Sequence, residues 1–167
     1  MAFDGKMQRR IMGRFATGVT VVTTRTGDVL WGMTANAVTS LSLDPPLVLV
    51  AVDKKSQTHG YLTEGKCFAV NILSLQQKSL SGRFATEGPK DFSDLDVTTA
   101  VTGAPILAGV LGFVDCRLTE ILPGGDHDLF IGEIVAGDLV ADDLGNGQPL
   151  LFYNGKYTQL AANDDQT

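Results

Sequence analysis

The chain has 167 residues, a net charge of −6, 44% apolar and 19% charged side chains. That composition is globular, with enough apolar surface for a sizeable core, and it excludes a disordered chain. The acidic balance argues against nucleic acid as a partner, because phosphate backbones call for a basic face, and no apolar run approaches the roughly 20 residues that span a bilayer. The length fits a single domain over residues 1–167. The first residues, Met1 to Lys6, lack the charged-then-apolar order of a signal peptide. Cys67 and Cys116 stand far apart without CxxC spacing, so neither a disulfide framework nor a zinc site is expected. The expectation is a cytoplasmic protein with no membrane segment and no metal.

Met7, Ile11, Met12 and Phe15 fall near helical spacing, with Asp4 placed to cap that helix and Gly18 to follow it. Val19–Thr24, rich in Val and Thr, predicts a strand, and Gly27-Asp28 a hairpin turn. Leu30–Ser42 reads as one or two strands. Asp44-Pro45-Pro46 reads as a turn, since proline is excluded from central strands. The unbroken apolar run Leu47–Val52 predicts a strand buried on both faces. Ser56 is placed to cap a short helix, Gln57–Glu64. Another strand follows at Cys67–Leu73, and Ser74-Leu75-Gln76-Gln77 forms a capping box for a helix from Leu75 to about Ala85. Thr86–Gly103 is polar and irregular and reads as a surface loop. Val110–Ile121 and Leu129–Val140 read as long strands connected by Pro123 to Asp128. Gly145-Asn146-Gly147 reads as a turn, Leu150–Tyr153 and Lys156–Gln159 as a last strand pair, and Ala161–Thr167 as a frayed tail. Many short strands with few helices, not in strict alternation, predict a mainly β fold: an antiparallel barrel with flanking helices.

Several motifs fail on inspection. Gly60 to Cys67 nearly matches a phosphate-binding P-loop, but Cys67 replaces the Ser or Thr that would bind magnesium, and the order is helix then strand. No G-x-G-x-x-G follows a strand, and no G-x-S-x-G is present. His59 and His127 are the only histidines and lie far apart in sequence.

Three stretches survive, each with two readings. Asp53-Lys54-Lys55-Ser56-Gln57-Thr58 joins a buried strand to a helix start, where free N–H groups, two lysines and two hydroxyls favour an anion. It is also an ordinary strand-to-helix turn capped by Ser56, and the stretch by itself favours that reading. Thr34-Ala35-Asn36-Ala37, with Thr39, Ser40 and Ser42, offers small side chains that let a planar ligand reach the backbone. It is equally a polar strand edge. Gly125-Asp126-His127 puts a histidine where a strand resumes, either against a second substrate or simply on a surface turn.

In order and spacing these stretches resemble the short-chain flavin reductase family, the reductase components of two-component flavin-dependent monooxygenases. The resemblance is carried by Arg14 to Thr24, Gly32 to Ala37, Ser40 to Val48, Ala69 to Ser74, Arg83-Phe84-Ala85, Gly125-Asp126-His127 with Leu129 to Glu133, and Pro149 to Tyr153 with Gly155-Lys156-Tyr157. It runs from about Met7 to Leu160 and is greatest for the components serving phenol and 4-hydroxyphenylacetate hydroxylases. It implies an antiparallel split β-barrel, a homodimer, and hydride transfer from NADH, or NADPH, to FMN or FAD, with reduced flavin passed to a partner monooxygenase. The alternative on the same fold is a flavin-binding store or sensor without turnover. The resemblance implies flavin contacts at Thr34, Ala35, Asn36, Ala37, Ser40, Leu41 and Ser42. It implies phosphate contacts at Asp53, Lys54, Lys55, Ser56 and Thr58, helped by Arg83 and Phe84, and nicotinamide contacts at His127, Phe152, Tyr153, Asn154 and Gly155. No acid–base pair is expected, because the cofactors supply the chemistry and the protein supplies position. Lys90-Asp91-Phe92 only loosely follows the family pattern, and no ligand contact is assigned there.

Overall fold

The computed structural model describes residues 3–140 and 147–161. The expected turn at Gly145-Asn146 and most of the expected frayed tail lie outside the described residues. Helix α1 (Gly5–Met12) starts where expected, with the Asp4 carboxylate accepting from Lys6 N, but it ends at Gly13, so Phe15 lies beyond it. Two further helices, α2 (Gln57–Gly65) and α3 (Lys78–Ala85), pack outside a β framework, and the Ser74–Gln77 capping box opens a 3₁₀ turn that leads into α3.

Seven strands form one antiparallel sheet: β2 (Thr20–Thr26), β3 (Val29–Ala35), β4 (Val38–Leu43), β5 (Pro46–Asp53), β6 (Cys67–Ile72), β9 (Gly112–Gly124) and β10 (His127–Leu139). Their spatial order is β3-β2-β6-β9-β10-β5-β4. Strands β3 and β4 are therefore the two edges of the sheet, yet only Asn36 and Ala37 separate them in the chain. The sheet must curl until its edges meet at that corner, while no ladder joins β3 to β4 along their length. This is the split barrel expected from the sequence. Its interior is filled by Val22, Val48, Val50, Val52, Phe68, Val70, Cys116 and Phe130. Burial pushes the Cys116 thiol up to about 12, so it packs as a small apolar group.

A second, smaller sheet joins β1 (Thr17–Gly18), β11 (Leu151–Tyr153) and β12 (Lys156–Thr158). The β11–β12 hairpin turns through Asn154 and Gly155 at φ 50° and 77°, the positive-φ pair that a tight two-residue hairpin requires. Beneath this sheet, Val19, Val21, Leu73, Phe84, Leu107 and Leu150 form a second core.

Three expectations are corrected. Strand β5 alternates: Val48, Val50 and Val52 are buried, whereas Leu47, Leu49 and Ala51 on the other face are half-buried. The connection between the two long strands is not a loop from Pro123 to Asp128. Both strands run on, and only Gly125 and Asp126 turn between Gly124 and His127. Pro123 pairs with Asp128 there, which is tolerated because the β6–β9 ladder ends at Cys67 and Arg117, leaving that stretch of β9 with a free edge. The expected surface loop Thr86–Gly103 carries a short strand, β7 (Val97–Thr98), paired with β8 (Ile106–Leu107), and its Phe92, Leu95 and Val97 pack on the second core.

Candidate functional site

Where β5 passes into α2, the chain turns through Asp53–Ser56. The Asp53 carboxylate accepts from Lys55 N at 2.8 Å, Ser56 N donates to Asp53 O at 3.0 Å, and Ser56 Oγ caps α2 by accepting from Thr58 N at 3.1 Å. Buried Trp31 of β3 donates its indole N–H to Thr58 Oγ1 at 2.9 Å and stacks on Tyr61, with ring centroids 4.2 Å apart. Thr58 thus locks the helix start to β3 and keeps its own O–H to donate. These groups border a cavity of about 770 Å³, whose walls include Thr34, Lys55, Ser56, Phe84 and Lys90.

The structure brings together two stretches that the sequence left as separate possibilities. Thr34, from the small-residue stretch, and Asp53, Lys55, Ser56 and Thr58, from the turn, line one cavity with Phe84. Thr34 Oγ1 donates to Ser81 O at 2.6 Å, and Ser81 Oγ shares a 2.8 Å hydrogen bond with Tyr157 Oη, which fixes α3 as the facing wall. Lys90 is a wall residue to which sequence reasoning assigned no contact. Its amine lies 6.0 Å from the Trp31 ring centroid and donates to Thr86 O, and desolvation lowers its pKa. An anion fits this donor set: two ammonium groups, the Ser56 hydroxyl and the N-terminus of a nine-residue helix. Two carboxylates share the wall: Asp53 is engaged with its own turn, and Glu87 faces Lys90.

Other expected contacts lie elsewhere. Asn36, Ala37 and Ser40 line a second, open cleft of about 820 Å³ together with Met12, Phe15, Thr17 and Thr39. The Ala35 side chain is buried in the barrel core. Leu41 and Ser42 border neither cavity, because a register shift between Ser40 and Ser42 leaves Leu41 as an unpaired bulge on the β4 edge. Lys54 turns away to Gly125 O at 2.7 Å and Asp128 Oδ1 at 3.3 Å. Arg83 makes a two-pronged pair with Asp94, at 2.6 and 2.8 Å, and this pairing holds the Asp94 carboxyl below its ordinary range. Two of the three cations that were expected at the phosphate, Lys54 and Arg83, therefore already hold protein acceptors, and only Lys55 lines the cavity.

His127 sits directly across the ladder from Asp53, at the rim of the first cavity's turn, with Nδ1 2.8 Å from Asp126 Oδ1. Phe152 to Gly155 flank the second cleft instead. Phe152 pairs with Thr17, Asn154 N donates to Gly13 O at 2.7 Å, and Tyr153 Oη accepts from Arg14 at 3.4 Å. The two halves of the expected nicotinamide site thus neighbour different cavities of the chain. His59, not expected at the site, is hydrogen bonded to Asp128 at 2.8 Å. Among the described residues no group of side chains is arranged to hold a metal ion.

Residues 12–161 match the flavin reductase like domain family. The chain belongs to that family. The reductase component of 4-nitrophenol 4-monooxygenase/4-nitrocatechol 2-monooxygenase from Rhodococcus opacus is 40% identical to it over 149 residues, covering 89% of this chain and 77% of that protein. An NADH-dependent FAD reductase from Streptomyces globisporus is 37% identical over 168 residues, covering 98% and 90%. Among solved structures, the flavin reductase PheA2 in its native state superposes with a TM-score of 0.84 at 41% identity, covering 96% of this chain and all of the other. The mainly β split-barrel architecture is thus the architecture of flavin reductases, and no helix among the described residues is long and apolar enough to cross a membrane.

Proposed function

We propose that this flavin reductase family member oxidises NADH, transfers the hydride to FMN or FAD, and supplies reduced flavin to a separate monooxygenase. The observation that carries the reading is the first cavity, in which a capped helix start, two lysines and the Thr34 wall converge. Bound flavin supplies the chemistry by accepting a hydride from nicotinamide. The chain's own residues bind and orient. Lys55, Lys90, Ser56 and the α2 N-terminus hold the phosphate, Thr34 borders the ribityl chain, and Asn36, Ala37 and Ser40 receive the ring at the apolar second cleft. Phe152 to Gly155 lie beside Gly13 and Thr17, next to that cleft, and meet the nicotinamide nucleotide, with His127 reaching it from the rim of the first cavity. No proton need be moved by the protein in this scheme.

The enzyme reading is favoured over a flavin store by the relatives named as NADH-dependent reductase and as monooxygenase reductase component. A cytoplasmic location follows from the supply of NADH. A homodimer is supported by the apolar side chains that this single chain leaves exposed on and after α1, namely Met7, Ile11, Met12 and Phe15. Sedimentation should give twice the 17.7 kDa chain mass. The direct assay is to mix purified protein with NADH and FMN or FAD and follow NADH absorbance. Flavin-dependent loss is expected. Flavin binding without loss would return the chain to the storage reading.

A further inference from the structure

Asp128 lines neither cavity, yet its two carboxylate oxygens reach both ends of the segment that does. Lys54 Nζ approaches Oδ1 at 3.3 Å, and His59 Nε2 lies 2.8 Å from Oδ2. Between them, Lys55, Ser56, Gln57 and Thr58 all face the first cavity. The surroundings tighten this arrangement. Lys54 N donates to Asp126 O at 3.1 Å, carrying the β5–β10 ladder past its last strand pair, and Lys54 Nζ also donates to Gly125 O at 2.7 Å. The His59 ring meets the buried Phe130 ring edge-on, with centroids 5.1 Å apart. Asp128 is itself only 16% exposed, which shields the pair from competing water.

We propose that Asp128 is a positioning residue for flavin phosphate recognition, clamping Lys54 and His59 so that Lys55–Thr58 is held in its anion-binding shape. This inference rests on the phosphate assignment made above. The hydrogen bond from His59, and secondarily that from Lys54, holds the Asp128 carboxyl below its usual range, so the clamp is an ionised acceptor at neutral pH. A single carboxylate that grips both flanks couples the β9–β10 hairpin to the start of α2. Loosening it frees the turn without removing any group that touches the ligand.

The test compares wild type with Asp128→Asn, which keeps the shape but weakens the grip on Lys54 and His59. KM for FMN is expected to rise about tenfold, the scale of one charge-assisted contact, while kcat and KM for riboflavin, which lacks the phosphate, change by less than about twofold. Amide hydrogen exchange at residues 55–58 in flavin-free protein should accelerate, and His59→Ala added to Asp128→Asn should add little, because the two act as one unit. Equal changes for FMN and riboflavin, or unchanged FMN kinetics, would overturn the proposal even if exchange accelerates. Should Asp128→Asn fold poorly, His59→Gln offers the same FMN-to-riboflavin comparison with one arm weakened. A wild-type chain that reduces FMN and riboflavin with the same KM would remove the phosphate assignment and this inference together, whereas a wild-type preference for FMN that Asp128→Asn leaves intact removes the inference alone.

Discussion

At the scale of single residues, the candidate site depends on groups whose local roles leave something over for a ligand. Ser56 accepts from Thr58 N and still has a proton to donate. Ser56→Ala is expected to weaken FMN or FAD binding by about tenfold, in line with the loss of a hydrogen bond to a charged group, and to affect riboflavin much less. Titration of the three flavins by fluorescence checks this, and equal losses would place the phosphate elsewhere. His127 is tethered to Asp126 and stands across the ladder from Asp53. His127→Ala should raise KM for NADH more than it weakens flavin binding, and unchanged NADH kinetics would take His127 out of the site. Ser56 and Thr58 were legible in the sequence because helix capping is a local rule, read from a few adjacent residues. Lys54 and Lys55 were not separable, since only the strand geometry decides that one faces the cavity and the other reaches back to Gly125 and Asp128. Lys90 was missed for a related reason: what brings it to Trp31 is the apolar anchoring of its loop through Phe92, Leu95 and Val97.

At the scale of elements, local patterns served well wherever one segment decided its own form. The Asp4 and Ser56 caps, the Gly27-Asp28 hairpin and the Asn154-Gly155 turn all follow from short-range chemistry. Apolar runs misled for β5, because a continuous run does not distinguish two buried faces from one buried and one half-covered. Close approach between strands was invisible too. On β10, a Cβ added at Gly132 would lie 2.5 Å from the tip of the Phe68 ring and 2.8 Å from Cys116 Cβ. Gly132→Ala should therefore destabilise the fold by about 1–3 kcal/mol through overpacking of the barrel interior, read as a lower urea midpoint with an unchanged slope. A midpoint within error of wild type would mean that Phe68 has room to swing aside.

At the scale of the whole molecule, the surface carboxylates set the acid limit. Asp94 beside Arg83, Asp91 through Ser93 N, Asp126 beside His127 and Asp128 beside His59 all sit below the ordinary carboxylate range. A depressed folded-state pKa contributes stability above the unfolded value of about 4 and loses it as pH falls through the folded value. Thermal midpoints should be nearly level from pH 7 to 5 and fall below about pH 4, with Asp94→Asn showing a shallower fall. An identical acid profile for that variant would show that the Arg83 pair contributes nothing, as many exposed pairs do. The order of strands in the large sheet also bears on how the chain is made. The first 126 residues contain two separate strand groups, β3-β2-β6-β9 and β4-β5, and the ladder that unites them is β10, whose residues 127–139 come late in synthesis. Until β10 leaves the ribosome, β5 presents an open edge with Val48, Val50 and Val52 uncovered beside it, a surface prone to pairing with other chains.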